Sequence, residues 1–294
     1  MPCFSPLKGW RGAPTAHGPA GIVFKRSEST GIPMQVPCGG CLGCRLERSR
    51  QWAVRCVHEA KMHENNSFVT LTYDPENIPL HGSLDRKAFP GFVKRLRKRI
   101  ADRTEGAGLR YFHAGEYGTN TRRPHYHAII FGYGFPDKSK WTERHGNVVY
   151  RSDELEEVWG LGMCEIGSVT FGSAQYVAKY IVDKVTGDAA TTYYPAGISP
   201  EFATMSTKPG IGKPWYDKWK KDVYPSDQVV VDGKVSKPPR YYDKLLEAED
   251  PAMYARVKAA RSEKRHKEDE TDERRTAIET CTYARLNLRE ERGL

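Results

Sequence analysis

Arg122-Arg123-Pro124-His125-Tyr126-His127-Ala128-Ile129-Ile130-Phe131-Gly132 has the form of a β-strand entered through a proline and closed by a glycine. Successive strand residues point to opposite faces. His125 and His127 therefore leave one side, and Tyr126, Ala128 and Ile130 turn the other way, toward a core. Two imidazoles on one face invite a metal ion. The alternative is a pair of polar side chains on a solvated sheet face, and the neighbouring segments must choose between the two.

Upstream, Leu109 to Glu116 alternates as a second strand, and the short connector Tyr117–Thr121 makes an antiparallel pair the natural arrangement. Glu116 then lies near His125 and His127. Two nitrogens and one carboxylate suit a divalent ion with open positions, whereas a strand-end carboxylate without a ligand role is the plainer reading of Glu116. Ser67 to Tyr73 is β-branched and aromatic, another strand, with Phe68, Thr70 and Thr72 on one face and Val69, Leu71 and Tyr73 on the other. Met163 to Val169 is a fourth strand. Residues 133–151 read as an irregular loop, and Ser152 to Trp159 as a short helix capped by Ser152.

The segment Ser173 to Val185 is helical in pattern. Ala174, Val177, Ala178 and Ile181 share one face, while Tyr176, Lys179, Tyr180 and Asp183 lie roughly opposite. Tyrosines in helices commonly pack into cores. These two avoid the apolar stripe and sit one turn apart beside a lysine, as a pair of phenolic nucleophiles facing one site would.

Elsewhere the chain alternates between basic helices and loops. Arg45 to about Glu64 reads as a helix, as does Leu84 to Ile100, whose outer face carries Lys94, Arg95 and Lys98. That stripe is either a solvated face or a set of phosphate contacts. Pro37-Cys38-Gly39-Gly40-Cys41-Leu42-Gly43-Cys44 holds two overlapping CxxC spacings, which suit a structural zinc knuckle. Cys3, on a Gly/Pro-rich irregular arm, is the first candidate for the fourth ligand and Cys56 the second. Free thiols in a glycine-rich loop are the alternative. The domain reading is an arm with the cysteine cluster over 1–44, a catalytic domain over 45–225, and a charged, mostly helical tail over 226–294 with a small hairpin near Val229–Val235.

Composition narrows the function. The 294 residues carry a formal net charge of +9, which favours polyanionic partners, nucleic acid first. No stretch approaches the ~18 apolar residues of a membrane helix, and seven cysteines are too sparse and uneven for a secreted disulfide framework. A soluble, non-secreted protein is expected.

Together Phe68-Val69-Thr70-Leu71-Thr72, Pro124-His125-Tyr126-His127 and Tyr176-Val177-Ala178-Lys179-Tyr180 resemble, in order, the three motifs of the HUH endonuclease superfamily. The likeness is strongest to replication initiators of microvirus (gokushovirus-like) single-stranded DNA phages and covers roughly residues 36–225. Tyr126 stands where an aliphatic residue is usual. The resemblance implies an α+β fold, an antiparallel sheet of about five strands flanked by helices and related to the RNA-recognition fold. It implies nicking and rejoining of single-stranded or locally melted origin DNA. His125, His127 and Glu116 would hold Mg²⁺ or Mn²⁺, with Tyr176 and Tyr180 as nucleophiles and Lys179 assisting. Arg122, Arg123, Lys94, Arg95 and Lys98 would grip phosphates. Host helicase and polymerase would be partners, in the cytoplasm of an infected bacterium. Related plasmid initiators, relaxases and transposases, a metal hydrolase, and a non-catalytic single-strand binder are the competing classes.

Overall fold

The computed structural model describes residues 3–13, 21–103, 108–144, 146–183, 193–264 and 271–291, leaving aside the side chains of 180–183 and 289–291. The chain divides into two compact units, Met1–Arg48 with Ser262–Leu294, and Ser49–Arg261.

The larger unit is built on an antiparallel sheet of seven strands. In chain order these are β4 (Asn66–Leu71), β5 (Arg110–Tyr117), β6 (Pro124–Phe131), β7 (Ser139–Arg144), β8 (Asn147–Arg151), β9 (Cys164–Gly167) and β10 (Phe202–Met205). Across the sheet they run β10-β5-β6-β4-β9-β8-β7. The quoted strand, β6, sits between β5 and β4, with Glu116 opposite His125 and Thr70 opposite His127. The expected α+β layering is present, wider than the five strands anticipated. Part of the excess is the β7–β8 hairpin, which falls where a loop was expected. Its residues are mostly solvated on both faces and its register shifts between Lys140 and Thr142, so no apolar period marks it.

Each sheet face carries its own core. Val69, Leu71, Tyr126, Ala128 and Ile130 pack with Phe89, Phe92 and Leu96 of α2 (Ala88–Arg99) and with Leu155 and Trp159 of α3 (Asp153–Trp159). Tyr126 is fully buried there, its hydroxyl donating to the Asp85 carbonyl (2.6 Å). On the opposite face Phe112, Ala114, Ile129 and Phe131 pack with Ala53 and Cys56 of α1 (Leu42–Ala60) and with Ala174, Val177 and Ala178 of α4 (Phe171–Asp183). α2 starts four residues later than Leu84, because the Leu84 and Asp85 amides donate to the Tyr117 and Tyr126 hydroxyls instead of joining the helix. A third cluster gathers Val54 and Val57 of α1 with Tyr216, Tyr242, Leu246 and Val257. The helices Arg240–Glu249 and Pro251–Glu263, within the charged segment read as a tail, each bury residues in this cluster.

In the smaller unit, residues taken for an irregular arm form a three-stranded antiparallel sheet. Its strands are β1 (Leu7–Gly12), β2 (Ile22–Val23) and β3 (Ser29–Val36), in the order β2-β1-β3. Two-residue β2 and a glycine in the left-handed region within β3 (Gly31, φ +80°) leave no period to read.

Candidate active site

His125, His127 and Glu116 converge on the face shared with α1 and α4. Both Nε2 atoms approach the same Glu116 Oε1, at 2.9 Å from His125 and 2.6 Å from His127. Each residue offers one ligand atom, and the three atoms lie within 4.8 Å of one another. Glu116 and His127 are almost wholly buried.

The distal nitrogens are held. His125 Nδ1 lies 3.1 Å from the Arg123 carbonyl, which can only accept, so Nδ1 carries a proton. His127 Nδ1 meets Thr70 Oγ1 at 3.0 Å across the β4–β6 ladder. Outer partners of this kind orient imidazoles toward a metal. Burial pushes the Glu116 carboxyl up, but hydrogen bonds from both histidines outweigh it and leave the group below the usual carboxylate range. Burial pulls the imidazoles down. For His125 the bond to Glu116 prevails and raises it, whereas the more deeply buried His127 stays depressed. A negative carboxylate with two oriented imidazoles and an open outer side fits a divalent ion.

Aromatic rings wall the cluster. Phe68 stacks parallel to His127, with ring centres 5.6 Å apart. Tyr176 of α4 stands edge-on to both, and its hydroxyl lies 3.5 Å from His127 Nε2. Ala174, Val177 and Ala178 hold α4 against this face of the sheet. Tyr176 is 42% exposed. Lys179 is exposed on the same helix. Tyr180 lies in α4, but its side chain falls outside the described residues.

The basic candidates separate. Arg122 and Arg123 immediately precede β6, and Arg123 donates to the Tyr73 carbonyl at 2.6 Å. Lys94, Arg95 and Lys98 ride on α2, which packs on the sheet face opposite the histidines. Arg95 is also engaged, its guanidinium donating to the Val158 and Trp159 carbonyls at the end of α3. The fold does not bring that stripe to the cluster.

Thr70 and Phe68 are the functional partners that the sequence reading left without a role, although the alternation of β4 already placed them on one face. Arg144 and Glu165 form a further pair, with contacts of 2.8 and 3.0 Å, and Glu165 is paired to Thr70 on the metal-side face. Reading β7 as loop hid Arg144.

In the smaller unit the Sγ atoms of Cys3, Cys38, Cys41 and Cys44 all lie within 4.8 Å of one another. The Cys3–Cys41 separation is 3.8 Å, about the edge of a tetrahedron with metal–sulfur bonds of ~2.3 Å. Backbone amides of Phe4, Cys38 and Cys41 donate to cluster sulfurs at 3.2–3.3 Å. Cys56, the other candidate, is buried in the sheet–helix core. Both groups could bind metal.

Known proteins resemble this chain over the same segment. A family profile described as Replication-associated protein ORF2/G2P matches residues 66–185, from β4 to just past the end of α4, and so spans the whole cluster. Replication-associated protein VP4 of Bdellovibrio phage phiMH2K is 32% identical over 261 residues, covering 86% of this chain and 80% of that protein. Replication-associated protein ORF2 of Spiroplasma virus 4 is 34% identical over 225 residues, covering 73% and 68%. Replication-associated protein ORF4 of Chlamydia phage 1 is 30% identical over 216 residues, covering 72% and 53%. No solved structure matches.

Proposed function

The chain belongs to the family of replication-associated proteins ORF2/G2P, and on that premise we propose that it is a rolling-circle replication initiator that nicks and rejoins single-stranded origin DNA. The observation that carries the proposal is the Tyr176 hydroxyl, 3.5 Å from His127 Nε2 at the open side of a buried Glu/His/His cluster.

Tyr176 Oη attacks phosphorus. The Oη–P bond forms as the P–O3′ bond breaks, leaving a 5′-phosphotyrosine. The phenol gives up its proton and the departing 3′ oxygen takes one, ending as a free hydroxyl. One ester replaces another, so the reverse step reseals the strand without ATP. Glu116, His125 and His127 would hold Mg²⁺ or Mn²⁺, which when bound supplies Lewis-acid polarisation of the scissile phosphate. A phenol has an ordinary pKa of about 10, and Lys179 on the same helix favours its ionised form. Tyr180, one turn on, is the second nucleophile, so that one tyrosine holds DNA while the other cuts. Arg122 and Arg123 meet phosphates at the mouth.

Cys3, Cys38, Cys41 and Cys44 would hold a structural Zn²⁺. The cycle runs in the cytoplasm of an infected bacterium, with host helicase and polymerase as partners.

Incubation with Mn²⁺ and single-stranded oligonucleotides tiled across the phage origin tests the reading. A covalent protein–DNA adduct that a chelator abolishes is expected. An adduct surviving in the Tyr176→Phe, Tyr180→Phe double variant would overturn it. A non-catalytic binder would retain DNA but form no adduct.

A further inference from the structure

A second concavity lies beside the metal cluster but on the other face of the sheet. It is a cleft of about 420 Å³, wholly within the larger unit. Glu116 pairs with His125 across β5 and β6, and the next pair outward is Tyr117 with Pro124. Those two residues line the cleft. It begins one residue, ~3.8 Å of backbone, beyond the ligands. Because strand faces alternate, it opens on the opposite side of the strand end.

The walls suit a flat, mostly apolar group. Ile78, Ile198, Pro124 and Pro195 supply aliphatic surface, and Tyr117 supplies a ring. The ring is fixed, since its hydroxyl donates to the Ser199 carbonyl (2.7 Å) and accepts from the Leu84 amide (2.9 Å). Arg122, also lining the cleft, holds its guanidinium 5.5 Å from the Tyr117 ring centre and 5.3 Å from that of Tyr193, and donates to the Tyr193 hydroxyl at 3.2 Å. It thus offers a planar cation at the mouth.

Two lining residues are in costly backbone conformations. His81 (φ 61°) and Arg122 (φ 55°) are two of the five non-glycine residues with positive φ among those described. Such strain persists where surrounding structure holds it, and it concentrates at ligand sites. Hydrogen bonds do hold it here, from the Arg122 amide to the Gly118 carbonyl (2.8 Å) and from the Gly82 amide to the Pro79 carbonyl (2.8 Å).

We propose that this cleft receives one unpaired nucleobase of the strand being cut, next to the scissile phosphate. The proposal rests on the nickase reading and adds a subsite to it. A single strand crossing the β5–β6 end presents a phosphate to the ligands on one face and an adjoining base to the cleft on the other. The volume is in the range of small-molecule sites and too narrow for a duplex. Aromatic and guanidinium planes stack on bases of any identity, and Arg122 and Arg123, which also line the cleft, can meet the flanking phosphate. Extruding one base also keeps the strand locally single-stranded at the cut.

Photocrosslinking tests this without requiring catalysis. The probe is a random-sequence single-stranded oligonucleotide pool containing 4-thiothymidine, irradiated with the full chain and mapped by peptide mass spectrometry. Crosslinks are expected within residues 78–82 and 117–124. Ile198→Trp, which fills the cleft without touching a metal ligand, should reduce them about tenfold. Wild-type crosslinks confined to other segments, or an undiminished yield at these peptides in folded Ile198→Trp, would overturn the subsite. The wild-type map decides the matter even where the variant does not fold. The tyrosine adduct is scored separately: adduct without cleft crosslinks removes the subsite alone, and cleft crosslinks without adduct remove the nickase alone.

Discussion

At the scale of single residues, the second partner of each imidazole matters as much as the ligand itself. Thr70 holds His127 through Nδ1, and its replacement by valine keeps the strand shape while releasing the ring. Thr70→Val should weaken Mn²⁺ binding by about 10- to 100-fold in calorimetry. On the proposed mechanism, which gives the hydroxyl attack and not ligation, Tyr176→Phe should lower the yield of covalent adduct at least about tenfold while leaving Mn²⁺ affinity unchanged. Two other histidines report on stability. His58 and His113 are fully buried, and burial pushes both down to about 3 from an ordinary 6.5. Below pH 6.5 the unfolded chain binds protons that the folded chain refuses. Stability therefore falls as pH drops from 6.5 toward 3, by up to about 1.4 kcal/mol per pH unit for each histidine. Urea midpoints between pH 7 and 5 should show this slope, and His113→Phe should make it shallower. His125 and His127 were visible from their spacing alone, because a period of two needs no tertiary information. His58 and His113 were not singled out, since burial of an imidazole leaves no trace in a single sequence.

At the scale of elements, local rules acted where side chains close their own turns. Ser152 caps α3, its hydroxyl accepting from the Leu155 amide (3.0 Å) and donating to Asp137 (2.7 Å). Ser152→Ala should cost about 1–2 kcal/mol in urea denaturation. Close approach elsewhere admits only glycine. A Cβ on Gly162 would sit 2.5 Å from the Asp74 amide nitrogen and 2.7 Å from the Thr72 carbonyl oxygen. Gly162→Ala should therefore displace β9 from the end of β4 and lower the melting temperature by several degrees, about 2 °C or more per kcal/mol lost. The helices α1, α3 and α4 and the strands β4, β5, β6 and β9 were legible because each buries at least one face. The elements that escaped bury too little. β7 is solvated nearly throughout, and β1 to β3 are exposed at most positions, with glycines in β1 and β3.

At the scale of the whole molecule, the smaller unit has few buried apolar side chains among the described residues, whereas four of its cysteines bring Cys3 to the Cys38–Cys44 segment. A chelator, or Cys38→Ser, should raise the protease sensitivity of residues 3–48 and leave the larger unit's melting transition in place; metal analysis should find one ion lost per chain. The net charge of +9 was open to view from the start, but not its arrangement. The stripe of Lys94, Arg95 and Lys98 is as basic as any in the chain, yet the sheet lies between it and the histidines. The sequence by itself determined the strand of β6, the two histidines on its one face, the tyrosines of α4, and the cysteine spacing, because periodicity and residue chemistry are local properties. Only the tertiary structure decided that Thr70 and Phe68 back His127, that Cys3 rather than Cys56 joins the cysteine cluster, that α2 covers the far face, and that a cleft opens beyond Tyr117 and Pro124. Those facts depend on strand order and helix packing, which bring together residues far apart in the chain through contacts that no local pattern encodes.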